Sequence, residues 1–318
     1  MSDNAAPRQE TTFRDYTDKQ GATYAQHRPG YHPRLWEILL NYHTSSGGQF
    51  DLVLDVGCGP GQAVGAVAPR FNRAIGIDPS EGMLNIARSI GGTSANSEPI
   101  RFEISSAELL GTDLSPPVEE GSVDLIIAAT CAHWFNMSEF WPRAAKVLKT
   151  GGTVAFWVSG PLVVDSSVPN AERIREALDR LHERLDDYFE PGNRVVSDLY
   201  KDILLPWTIP EPVADFDKES FVRQEWGTDA PGAEPGDQFY QTSKREVGPA
   251  AIEAVLSTMS PVTRWREAHP EAVGTEDDVV RKMRREMEQA LYDGGVEKGK
   301  EVIRGGVSAV MLMVKKRA

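Results

Sequence analysis

Apolar residues in this chain fall into short runs, separated by segments whose apolar positions recur every three or four residues. The runs at 50–56, 74–78, 99–104, 123–129 and 153–158 read as five strands. The fourth, Val-Asp-Leu-Ile-Ile-Ala-Ala, is too apolar to be covered on one side only, so both faces are expected to carry helices. Between the runs, three segments have helical spacing. The first carries Val64, Val67, Ala68 and Phe71, the second is opened by Pro79-Ser80, and the third carries Trp141, Ala144, Ala145 and Leu148 within 138–149. Gly151-Gly152 is expected to end the third. Strand and helix in alternation predict a parallel sheet wrapped by helices. From Gly160 the pattern lapses. Asn170 is read as the cap of a helix running to about 189 with a stripe at Ile174, Leu178, Leu181, Leu185 and Tyr188, stopped by Glu190-Pro191-Gly192. A sixth strand is expected at 221–226, a loop at 228–237, helices near 246–259 and 276–292, and a last buried strand at 306–314.

The first strand ends in glycines on alternate positions, Gly57, Gly59 and Gly61. Strand, glycine turn and helix bring bare backbone against a nucleotide-like ligand. Glycine suits such a turn because it leaves room and accepts positive φ. The second strand ends in Asp78, about 20 residues further on, where an acid accepts hydrogen bonds from both hydroxyls of a ribose. A helix N-cap is its alternative role, which Ser80 can also fill. The dinucleotide fingerprint is Gly-x-Gly-x-x-Gly. Here the spacing is Gly-x-Gly-x-Gly, with Asp55 inside the strand. A carboxylate beside the loop repels a pyrophosphate and suits a cationic ligand.

The Asp-x-Gly-x-Gly-x-Gly pattern resembles motif I of the class I S-adenosylmethionine-dependent methyltransferases, with Asp55, Gly57, Gly59, Gly61 and Asp78 matching residue by residue. The resemblance implies a Rossmann-like, seven-stranded, mostly parallel sheet whose last strand runs antiparallel. It implies S-adenosyl-L-methionine as cofactor, with the glycine turn at its methionine part and Asp78 at its ribose. Ser106-Ala107-Glu108-Leu109-Leu110 resembles the family segment that closes over the adenine. Met83 in the helix after Asp78 and Thr130 at the end of the fourth strand complete the expected cofactor set with Ala107 and Glu108. Cys131-Ala132-His133-Trp134-Phe135 resembles the Ala-x-His-Trp-Phe segment of the trans-aconitate methyltransferase group. Residues 24–31, with Tyr24, Arg28, Pro29 and Tyr31, resemble that group's entry motif. Residues 191–200 and 262–270 resemble its fungal branch, which includes aconitate, cantharidin-type and epidithiodiketopiperazine thiol methyltransferases. The implied function is methylation of a small molecule, with O-methylation of a carboxylate leading. S-methylation of a metabolite thiol and a non-catalytic cofactor-binding regulator are the alternatives. The Asp55 carboxylate and the glycine spacing argue against an NAD-dependent oxidoreductase.

The chain has 318 residues, 40% hydrophobic and 25% charged, ordinary for a folded soluble protein. It is read as a mobile tail at 1–12 followed by one domain at 13–318. The core is expected at about 35–160, 216–227 and 276–318, and a helical cap at about 161–215 and 238–270. A net charge of −13 argues against a nucleic-acid partner, which needs a basic face. No run of eighteen apolar residues is present, so no membrane span is expected. The polar start carries no secretory signal, and two cysteines fit a reducing cytosol. Cys58 and Cys131 are both expected near the cofactor pocket.

Methyl transfer from a sulfonium needs a nucleophile held in line behind the methyl group and no metal. A carboxylate acceptor is already ionised at neutral pH, whereas a thiol or hydroxyl calls for a base. His133 is the candidate, either as that base or as a hydrogen bond that shapes the pocket. Arg28 suits the cofactor's α-carboxylate or an anionic substrate. Tyr24, Trp134, Phe135, Trp157, Arg194 and Trp265 are expected to line the acceptor pocket. An acidic acceptor would draw Arg194, Arg264 and Arg266 inward, and an apolar one would favour Trp157, Trp226 and Trp265.

Overall fold

Alternate side chains of the strand Leu52–Val56 serve two cores, which is why its sequence shows no polar side. The computed structural model describes residues 11–240 and 246–317. In chain order the helices are Asp18–His27 (α1), Pro33–Thr44 (α2), Gln62–Val67 (α3), Glu81–Ile90 (α4), Met137–Val147 (α5), Ala171–Leu185 (α6), Pro191–Ser197 (α7), Pro249–Leu256 (α8), Ser260–Ala268 (α9) and Val279–Asp293 (α10). The strands are Leu52–Val56 (β1), Arg73–Asp78 (β2), Arg101–Ile104 (β3), Val123–Ala129 (β4), Leu148–Val164 (β5), Phe216–Trp226 (β6), Glu246–Val247 (β7) and Ile303–Lys316 (β8).

The sheet runs in the order β3-β2-β1-β4-β5-β8-β6, with β7 attached to β8. Strands β1 to β5 pair in parallel. β8 lies antiparallel between β5 and β6, the orientation expected of the last strand. Leu52, Leu54 and Val56 face Phe140, Trp141 and Val147 of α5. Val53 faces Leu35 and Leu39 of α2 and Val64 and Val67 of α3. Two helical layers therefore sandwich the sheet and leave the carboxyl ends of β1, β2 and β4 as one edge.

The structure corrects several expected boundaries. Gly151-Gly152 does not cap α5. The helix ends because Leu148 turns extended and pairs with Val123, so the glycines lie inside β5. β5 also outruns its expected end and continues to Val164, since Leu162 to Val164 pair with β8. Asn170 stands before α6 with φ 53° but makes no cap bond. Its side-chain amide donates to the Ala290 carbonyl instead. α6 ends at Leu185 and a 3-10 turn carries the coil on to Tyr188, near the expected stop; Phe189 and Glu190 are extended, and Pro191 opens α7 at a first-turn position where its missing N–H costs no bond. Helix α9 falls where no separate helix was expected. Residues 1–10 of the expected tail lie outside the described residues, and Thr12 is tied down by the Arg264 guanidinium at 2.8 Å.

A third apolar cluster joins the helices of the second half, where a cap was expected. Ile174, Leu178, Leu181 and Leu185 of α6 meet Ile252 of α8, Val262 of α9, and Val280, Met283 and Met287 of α10. α10, expected in the core, packs with α6 and α8 instead. Among the described residues no helix is long and apolar enough to cross a membrane.

The amino-terminal segment docks on α4 through bare backbone. A Cβ on Gly21 would stand 2.9 Å from the Gly82 carbonyl oxygen, and one on Gly82 would stand 2.0 Å from the Tyr16 carbonyl oxygen. Gly82→Ala should therefore lower stability in urea unfolding by about 1–3 kcal/mol, the scale of overpacking. It should also open residues 11–28 to limited proteolysis. An unchanged unfolding midpoint and digestion pattern would contradict this close approach.

Candidate active site

Gly57, Gly59 and Gly61 all adopt positive φ, at 65°, 54° and 83°, a conformation glycine reaches without steric cost. A side chain at Gly59 would project into open space, whereas one at Gly57 would meet the Cys131 Sγ at 2.8 Å. Gly57 and Gly59 line a cavity of about 950 Å³. Gly61 does not. It is backed by the Phe102 ring and starts α3.

Asp78 ends β2 at the same edge. One carboxylate oxygen accepts from the Gly59 N–H at 2.8 Å, and the other from the Ser80 N–H at 2.9 Å. The capping role belongs to Ser80, whose hydroxyl accepts from the Met83 N–H at the start of α4. Asp78 is 8% exposed and lines the cavity. Burial pushes its pKa up to about 6, against the pull of the two amides. Asp55, expected beside the ligand, is fully buried under the turn and does not line the cavity. Its carboxyl accepts from the Val64 N–H at 3.0 Å, which fixes the start of α3 beneath the glycines. Burial raises its pKa well above the usual carboxylate range. Burial likewise raises the thiols of Cys58 and Cys131. Both line the cavity and, held as neutral thiols, are poor nucleophiles.

Met83, Ala107, Glu108 and Thr130 all face the same space. Glu108 accepts from the Asn136 N–H at 3.0 Å, and the Thr130 hydroxyl lies 3.3 Å from that of Tyr31. Arg28 and Tyr24 line the cavity from α1 and its end. Arg28 Nε donates to the Thr258 hydroxyl at 2.9 Å, and its guanidinium lies 5.1 Å from the centre of the Tyr24 ring. No carboxylate among the described residues pairs with it. Gln62, just past the last glycine, donates to the carbonyls of Ala25 and Arg28, and so ties this arginine to the turn.

His133, Trp134 and Phe135 also border the cavity. His133 Nδ1 lies 3.0 Å from the Tyr200 hydroxyl. Burial and the nearby Arg28 charge push its pKa down to about 3, so its imidazole is neutral at physiological pH. Three expected lining residues stand elsewhere. Trp157 is sealed in the core, with its ring 5.4 Å from that of Tyr31. Arg194 pairs with Asp186 on the surface, 62% exposed. Trp265 stacks on His269 at 4.4 Å, away from the cavity. Trp226 is also in the core, and Arg264 and Arg266 are held by Glu190 and Asp278.

Beyond His133 the cavity continues between β5, α6 and α8. Its walls there include Leu162, Val164, Leu178, Leu181, Ile252 and Leu256, with Arg175, Asp179 and His182 of α6 at the same border. The sequence marked the α6 leucines only as a helical stripe. The segment 191–200 was marked only by resemblance, with no role for Tyr200, which reaches His133 from 67 positions away, and nothing local marked Tyr240, whose hydroxyl donates to Ser159 at 2.6 Å in the cavity wall.

Residues 54–156 match the family described as Methyltransferase domain. A Dictyostelium discoideum protein described as a methyltransferase is 28% identical over 197 residues, 61% of this chain and 66% of that protein. The Saccharomyces cerevisiae protein CRG1, described as an S-adenosylmethionine-dependent methyltransferase, is 35% identical over 138 residues, 43% of this chain and 45% of its own length. The chain thus spans from under half to about two thirds of these curated relatives. A solved structure from Anaeromyxobacter dehalogenans, described as a type II methyltransferase, superposes with a TM-score of 0.57 at 22% identity. It covers 91% of this chain and 97% of that one, and shows a shared fold.

The residues present fit a sulfonium nucleoside. Gly59 offers an open cradle, Asp78 offers two acceptor oxygens, and Arg28 is a half-buried cation with no carboxylate partner among the described residues. Asp78→Asn should weaken S-adenosylhomocysteine binding by about 1.5–3 kcal/mol near neutral pH, the scale of a hydrogen bond to a charged group. Because the raised pKa leaves Asp78 protonated in mild acid, the parent's affinity should fall as pH drops through about 6, and the variant's should not. Calorimetry giving equal affinities for the two, with a flat profile for the parent, would remove Asp78 from the site. Residues 54–156 are thus similar to the methyltransferase domain family.

Proposed function

We propose that the chain transfers a methyl group from S-adenosylmethionine to the carboxylate of a small acid with an aliphatic body. One observation carries this reading: the cleft over Gly59 and Asp78 and the aliphatic chamber under α6 and α8 are a single cavity of about 950 Å³. That volume lies at the upper end of small-molecule sites.

When bound, the cofactor supplies a sulfonium methyl, an electrophile that positioning brings to reaction. Asp78 would accept from the ribose hydroxyls. Arg28 would take the amino-acid carboxylate through its unpaired guanidinium face, a charge-assisted contact in a dry setting. Met83 and Ala107 give the adenine an apolar wall, and the face of Trp134 attracts a cation. On the acceptor side, the aliphatic walls favour a hydrocarbon body. Helices α6 and α8 over the edge exclude water from the reacting groups. A carboxylate arrives ionised at neutral pH, so a neutral His133 meets its needs as a donor.

A series of straight-chain carboxylates tests the reading, with purified protein and labelled cofactor. The expected product is the methyl ester. The selectivity kcat/KM should rise about fourfold per added CH2 until the chamber fills, as about 0.8 kcal/mol per buried methylene implies. Label appearing only on trans-aconitate or on a dithiol, or a series flat in chain length, would contradict it.

A further inference from the structure

Tyr200 is 1% exposed, and both it and Leu199 adopt positive φ, at 58° and 51°. Bulky residues rarely take that conformation. The bend follows α7, which lies unusually near the turn that carries His133. A Cβ on Gly192 would stand 2.6 Å from the Trp134 ring and 2.8 Å from the His133 carbonyl oxygen. The result is a phenol oxygen 3.0 Å from His133 Nδ1. A phenol has one hydrogen to give, and buried hydroxyls give it. Among the described residues, His133 Nδ1 is the acceptor within its reach. A ring nitrogen that accepts carries no proton, so the proton of the neutral imidazole sits on Nε2. His133 lines the cavity, and no protein group among the described residues takes Nε2.

We infer that Tyr200 is a positioning residue that fixes His133 as the Nε2-protonated neutral ring, so that His133 gives a hydrogen bond to an acceptor that arrives ionised and takes no proton from it. The inference rests on the methyltransferase reading above and narrows its chemistry to anionic oxygen. One carboxylate oxygen forms the new bond to the methyl carbon. The carbon–sulfur bond breaks with its electron pair going to sulfur, and no proton changes place. The other carboxylate oxygen accepts from Nε2–H.

Two-bond proton–nitrogen NMR of the full chain reads the tautomer directly, with the His133 signals identified by their loss in His133→Gln. The parent should show an unprotonated Nδ1 and a protonated Nε2, and Tyr200→Phe should show a mixture of tautomers. A protonated Nδ1 in the parent would overturn the inference. In turnover with dodecanoate, His133→Gln keeps an N–H donor and should stay within about tenfold of the parent, whereas His133→Ala should lose about 100-fold, the scale of a lost preorganised donor. Equal loss in the two variants would overturn the donor role. The NMR measurement needs neither cofactor nor acceptor. A parent that methylates no acid would therefore defeat the functional reading, while the tautomer still decides this one.

Discussion

Two backbone amides, those of Gly59 and Ser80, hold the Asp78 carboxylate at the end of β2. Most of the site follows from that arrangement. A carboxylate with little access to water needs donors, and the left-handed glycine turn delivers one of them from the neighbouring strand. The same turn needs α3 to start directly behind it, and the buried Asp55 supplies that anchor through the Val64 N–H. The two acids of the sequence motif therefore divide the work. Asp55 shapes the turn from below, and Asp78 faces the space above it.

The first half of the fold was legible because its information is local. Uninterrupted apolar runs announce strands covered on both sides, and β4 was placed at its observed limits from that signal alone. Boundaries slipped where tertiary pairing overrode local preference. At Leu148 the partner strand β4 captures the chain before the Gly151-Gly152 pair is reached, and at Leu162 the pairing with β8 prolongs β5 past its apolar segment. The lining given by the glycine turn and the ends of β2 and β4 was legible for the same reason as the strands, since Gly57, Gly59, Asp78 and Thr130 follow directly from local runs. The acceptor side was not. Arg194, Trp157 and Trp265 carry suggestive side chains, yet their orientation depends on packing between distant elements. The chamber walls are ordinary aliphatic residues whose sequence pattern announces only a buried helix face.

The cap also explains why the site joins distant parts of the chain. Arg28 is fixed by Thr258 from the cap and by Gln62 from the glycine turn. His133 is fixed by Tyr200. The amino-terminal segment, the sheet edge and the helices of the second half thus meet around one cavity.

A crystal structure of the protein with S-adenosylhomocysteine and a straight-chain acid tests this account most directly. It should show both ribose hydroxyls on the Asp78 carboxylate, the amino-acid carboxylate on Arg28, and the hydrocarbon chain between α6 and α8. A nucleoside bound away from the β1–β2 edge, or an acid lying outside the aliphatic chamber, would contradict it.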